Sequence, residues 1–158
     1  MDYLVNLSLL APDPELDARI RGAAVTIRRA LAPELELVTG WVRQTFSAGW
    51  SSETTVAFSR QPVSCFLATR NGRLVGFAVY DAIARGFFGP TGVDEAARGA
   101  GIGHALLLAT LLDMRVMGYG YGIIGDVGPS EFYERTVGAR QIPDSAPGVY
   151  AGLLKTNH

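Results

Sequence analysis

Between a strand-like run and a leucine-dense helix this chain places the turn Arg98-Gly99-Ala100-Gly101-Ile102-Gly103. No other stretch restricts its fold as strongly. Three glycines within five residues allow left-handed backbone angles and keep side chains off the turn. The amide N–H groups of such a turn can converge on an anion. The helix that follows brings unpaired N–H groups and the positive end of its dipole to the same place. The fold must therefore deliver a strand end, a tight turn and a helix start to one point. That point reads as a cradle for a diphosphate.

Two nucleotide motifs are excluded. A P-loop needs Lys-Ser or Lys-Thr at the helix start, whereas the one lysine is Lys155. A dinucleotide fingerprint needs its third glycine three residues after the second. Counted from Gly99 and Gly101 that position is His104, and counted from Gly101 and Gly103 it is Leu106. The turn also falls too late in the chain to open a βαβ unit.

Composition narrows the partners. The formal charge is -1, so no broad basic field draws nucleic acid or an anionic membrane. A chain of 158 residues with 48% hydrophobic content suits one domain with one sizeable core. We divide it into an N-terminal extension, 1–24, and a core, 25–158. The single cysteine, Cys65, sits in an apolar run without neighbours at metal-ligand spacing, so neither an intrachain disulfide nor a metal site is expected. That usage fits a cytoplasmic setting. Asp2 replaces the basic start of a secretory signal. Asp113 and Arg115 interrupt the longest apolar stretch, which falls short of the roughly 18 residues of a membrane span.

The pattern along the chain reads as α/β. Tyr3 to Leu10 alternates weakly as a strand, and Ala11 to Glu15, with two prolines, reads as a loop. Val25 to Leu31 is β-rich. Pro33 opens a helix carrying Leu35, Val38, Val42 and Phe46 at helical spacing. A second helix is expected from Ser52 to Ser59, with Ser52 as its cap. Ser64 to Thr69 and Arg73 to Tyr80 flank Asn71-Gly72, a strong hairpin signal. Gly86 to Val93 is a strand whose three glycines and Pro90 predict a bulged or splayed edge. Ala100 to Gly118 is a helix apolar on most sides. Tyr121 to Gly125 is a central strand and Ser130 to Val137 a short helix. Gln141-Ile142 and Tyr150 to Leu154 are expected as the last strands. The sum is a mixed, mostly antiparallel sheet with helices on both faces.

The turn matches the R/Q-x-x-G-x-G/A pattern of the GNAT (GCN5-related) N-acetyltransferase superfamily through Arg98, Gly101 and Gly103. Downstream, Asp126 to Arg135 followed by Val137-Gly138-Ala139 resembles that family's second signature, in the right order. The resemblance covers about Ser64 to Ala139. Departures mark a divergent subfamily: Glu95 and Ala97 before the arginine, Pro129 for a small residue, and Gly138-Ala139 for Gly-Phe.

The resemblance implies acetyl-CoA as co-substrate and an amine that attacks its thioester directly. Gly92 and Val93 would meet the pantetheine arm as an added strand. The amides of Arg98, Gly99, Ala100, Gly101, Ile102 and Gly103 would hold the pyrophosphate. Beside Val93, a hydrogen-bond donor would stabilise the oxyanion developing at the thioester. Tyr133 is the candidate general acid for the leaving thiolate. Asp126 stands where the family often has Asn and is a candidate base, with Asp81 and Glu53 as further candidates. His104 is placed to lend charge to a phosphate, and Trp41, Phe46 and Trp50 lie where this fold commonly lines its acceptor pocket. The acceptor is a small-molecule or peptide amine, and a homodimer is the expectation by analogy with the fold. The alternative is a catalytically inactive acyl-CoA-binding sensor or interaction module.

Overall fold

The computed structural model describes residues 1–155. Strand β1, Tyr3–Asn6, is followed by helix α1, Pro14–Gly22, and strand β2, Val25–Arg29. Helices α2, Leu35–Thr45, and α3, Ala48–Phe58, precede the hairpin β3, Cys65–Arg70, and β4, Arg73–Tyr80. Strand β5, Phe87–Val93, leads into α4, Ile102–Val116. Strand β6, Tyr121–Ile124, helix α5, Ser130–Val137, and strand β7, Arg140–Gln141, complete the order. The sheet runs β2-β3-β4-β5-β6-β1-β7. Its one parallel pair is β5–β6, and every other pair is antiparallel. The mixed, mostly antiparallel architecture expected from the sequence is the one observed.

Strand alternation divides the core. Ala68, Ala78 and Tyr80 face a layer with Leu16 and Ile20 of α1 and Leu106, Leu107 and Leu111 of α4. Cys65, Leu67, Phe77 and Val79 face the opposite layer, with Val38, Val42, Ala57 and Phe58 of α2 and α3. Asp113, the charge within the apolar helix α4, is explained by its partners. It pairs with Arg29 at 2.5 Å and accepts from the Tyr80 hydroxyl at 2.6 Å, pinning α4 to β2 and β4. Asn71 and Gly72, at φ 52° and 71°, make the tight hairpin turn. Among the described residues no helix is long and apolar enough to cross a membrane.

Several expectations need correction. The Ala11 to Glu15 loop is in part the start of α1. Asp13 caps that helix by accepting from the Leu16 amide at 3.0 Å, and Pro14 occupies its first turn. The two prolines mark a helix start here. The second N-terminal helix begins at Ala48, capped by Ser47 through the Trp50 amide, so Ser52 is interior to it. The strand from Tyr3 ends at Asn6, where the chain turns into a short 3-10 segment. Tyr150 to Leu154 is not a strand, because the position beside β6 belongs to β1 and the C-terminal segment turns at Gly148–Tyr150 instead. The segment 1–24, set apart as an extension, supplies β1 and α1 to this same sheet and core.

Candidate active site

The glycine turn joins the end of β5 to the start of α4. Gly99 and Gly101 take φ values of 93° and 86°, left-handed angles that side chains strain to adopt. Gly101 is the residue before the first turn of α4, and no side chain caps that helix. The amides of Ile102, Gly103 and His104 are thus left without intrahelical acceptors. Two arginines brace the turn. Arg98 Nε donates to the Val93 carbonyl at 3.2 Å, and Arg19 Nη2 reaches from α1 to the Gly99 carbonyl at 2.8 Å.

Over this turn lies a cleft of about 840 Å³, lined by Val93, Arg98, Gly99, Gly101, Ile102, Gly103 and His104 together with Arg19 and Arg135. The turn residues named from the sequence therefore share one cavity, apart from Ala100 and Gly92, which are not among its lining. Arg19 and Arg135, 79 and 37 positions from Arg98, were not expected at the site, although Arg135 ends the second-signature stretch. The signal for Arg19 lay in the unread helix α1. Burial holds the His104 imidazole below its ordinary range.

A second cavity, about 580 Å³, opens where β5 and β6 part. The two strands pair only at Phe87↔Ile123 and Phe88↔Ile124. Beyond Phe88, β5 stays bonded to β4 through Val93 but, among the described residues, has no strand on its other side. The splayed edge expected from the glycines and Pro90 is present, with a register shift between Ala78 and Tyr80 on the β4 side. The strand leaves room for an extended arm with backbone groups to meet it. Gly92 is needed for a different reason. A Cβ there would lie 2.4 Å from Cζ of Phe46, whose ring packs against Trp41, Trp50 and Phe77.

Helix α5 separates the two cavities, and Pro129 borders both. Phe132 faces the cleft over the turn and Tyr133 faces the second cavity, which settles how adjacent aromatics divide between two sides. Tyr133 is buried and its hydroxyl donates to no described residue. Burial raises its pKa, so the phenol keeps its proton at neutral pH. Asp126, just after β6, lines the same cavity at φ 47°. Its amide donates to Asp2 Oδ1 at 3.0 Å, while its exposed carboxylate has no partner among the described residues.

The other base candidates diverge. Asp81 accepts from the Gly86 amide at 2.8 Å and from the Tyr119 hydroxyl, and it lines neither cavity. It fastens the β4–β5 connection. Glu53 lines the second cavity beside Trp50, and burial raises its pKa. Trp41 and Phe46 stay in the aromatic cluster behind Trp50. Tyr150, expected on a strand, instead closes the cavity; burial and the nearby carboxylates of Glu53, Asp126 and Asp2 push its pKa up to about 12. Cys65 is fully buried, and burial pushes its thiol up to about 12, which leaves it inert.

The model of the acetyltransferase (GNAT) family matches residues 34–138. That span holds the glycine turn, the splayed strand and Tyr133, and it is well over half of the chain. The chain belongs to the GNAT acetyltransferase family. Solved structures agree with the GNAT fold. A glucosamine N-acetyltransferase region of a fungal multi-domain β-N-acetylglucosaminidase aligns with TM-score 0.73 at 15% identity, over 88% of this chain and 19% of that one. A GCN5-related N-acetyltransferase from Kribbella flavida gives 0.60 at 23%, over 88% and 52%. One from Sphaerobacter thermophilus gives 0.60 at 21%, over 88% and 47%. The chain thus spans about half or less of these proteins. No curated protein sequence matches it.

Proposed function

We propose that this GNAT domain transfers an acetyl group from acetyl-CoA to a primary amine by direct attack in a ternary complex. The observation that carries the reading is that the unpaired end of β5 lines both cavities, Val93 the cleft over the turn and Gly89, Pro90 and Thr91 the second. Free amides and arginines at the start of α4 suit a diphosphate. The unpaired edge of β5, at Gly92 and Val93, suits the pantetheine arm. The arm then ends beside Tyr133 in the second cavity, which Pro129 borders together with the first.

Each proton has a place in this reading. Asp126 takes a proton from the incoming ammonium. The neutral amine attacks the thioester carbonyl, a C–N bond forms, and the C–S bond breaks as the intermediate collapses. Tyr133 then protonates the departing thiolate, and the second proton, lost by the acylated nitrogen, restores the phenol. An acyl-enzyme through Cys65 is disfavoured by its burial.

Calorimetric titration with acetyl-CoA, run beside a Gly101→Glu variant, tests the reading. A Cβ at Gly101 would already lie 3.3 Å from Leu16 Cδ1, and the added carboxylate would stand in the phosphate cleft. Saturable binding by the parent and none by the folded variant is expected. No binding by the parent would return the glycine turn to an ordinary connection.

A further inference from the structure

The two cavities carry opposite charge. Around the glycine turn stand Arg19, Arg98 and Arg135. The second cavity is lined by the carboxylates of Glu53 and Asp126, and among the described residues lining it none is Arg, Lys or His. An acceptor bearing a carboxylate or phosphate would meet two acids there and no base. Trp50, Phe88, Tyr133 and Tyr150 give the same cavity aromatic walls, which favour a cation over an anion.

Glu53 makes the preference specific. Its Oε1 is shut from solvent and has no hydrogen-bond partner among the described residues. Burying an acceptor unpaired is costly, and the cost is relieved when a donor arrives. Trp50 and Glu53 share α3 at a spacing of three residues, so ring and carboxylate stand on one face of the helix. Asp126 reaches the same cavity from the end of β6, so two elements bring a carboxylate to it, one exposed and one half-buried.

We propose that the acceptor is a dicationic alkyl amine. One ammonium yields its proton to Asp126 and attacks the thioester. The second stays protonated and is held by Glu53 between the aromatic walls. The products are a singly acetylated amine that retains one positive charge, and free CoA thiol. This inference rests on the acetyl-transfer reading above.

The test compares amines of equal length and different charge. Putrescine is set against butylamine and 4-aminobutanoate, and cadaverine against pentylamine and 5-aminopentanoate, with acetyl-CoA at saturation. A charge-assisted contact predicts kcat/KM for the diamine about tenfold or more above its monoamine, with the amino acid lowest. In Glu53→Gln the diamine's KM rises about tenfold while its kcat holds within about twofold, and its advantage in kcat/KM over the monoamine collapses to within about twofold. A merely structural Glu53 would shift diamine and monoamine together, and that result overturns the assignment. Equal or better use of the monoamines or amino acids by the parent also overturns it, without need of the variant. So does acetylation of none of the six when acetyl-CoA binds normally. Failure of acetyl-CoA to bind at all would instead overturn the acetyl-transfer reading beneath it.

Discussion

Tyr133 and Glu53 differ in what their burial does. For Tyr133, burial preserves the phenol proton that the proposed reaction passes to the departing thiolate. Tyr133→Phe keeps the ring and its packing while removing the hydroxyl. Its kcat should fall by about 10² to 10⁴-fold, with acetyl-CoA affinity within about twofold of the parent. A kcat within a few fold would transfer the acid role to solvent. For Glu53, burial penalises the charged form, so the folded state holds this proton more tightly than the unfolded chain. Stability from that proton is present below the ordinary carboxylate range and is lost as pH rises through the raised value. Glu53→Gln is neutral throughout. It should melt above the parent at about pH 7, and the two melting temperatures should converge toward about pH 4. A variant that melts lower at neutral pH would mean that Glu53 has a stabilising partner. A residue that costs stability when its site is empty suits a role in holding ligand.

At the scale of elements, α1 links the N-terminal segment to the glycine turn. Asp13 caps it, Leu16 and Ile20 bury it, and Arg19 in its last turn bonds to Gly99. Arg19 is itself exposed, so its removal should leave the melting temperature nearly unchanged. Arg19→Ala should nonetheless weaken acetyl-CoA binding several-fold at low salt, and less at high salt as exposed charges are screened. An unaltered affinity at low salt would confine Arg19 to bracing the turn. This helix also shows where the sequence stops being legible. Local signals such as Asn71-Gly72, the Arg98 to Gly103 turn and the leucines of α4 announce themselves within a few residues. Asp13-Pro14 is an equally local cap signal, but a second proline, Pro12, disguises it as a loop. The approach of Arg19 to Gly99, 80 residues away, has no local signature, because it depends on how α1 lies across the sheet. The side of α5 that Tyr133 occupies depends likewise on the parting of β5 and β6.

Over the whole molecule, the N-terminal segment lies inside the fold that it precedes in sequence. Four residues of β1 pair with β6 and two of them also pair with β7, so this strand joins both to one sheet. No periodicity within Tyr3 to Leu10 could reveal that placement, since pairing partners 115 or more residues away determine it. Val5 and Leu7 are fully buried. Asp2 receives the amide of Asp126, its own amide donates to Ser145 Oγ at 2.8 Å, and its carbonyl accepts from Ile142. One residue near the start thus fastens both the candidate base and the segment leading to Tyr150. Removing residues 1–24 would strip β1 and α1, expose the edge of β6 and leave β7 without a neighbour. The remaining chain, 25–158, still holds the glycine turn and Tyr133, and it contains all of the matched family span. It should nevertheless lose cooperative urea unfolding and acetyl-CoA binding together, because a sheet edge and much of one core layer are lost. A truncated chain that unfolds in one sharp transition, with a denaturant slope scaled to its length, would show that β1 is dispensable. Loss of binding with cooperative folding intact would instead assign the N-terminal segment to the site alone, through Arg19 and Asp2.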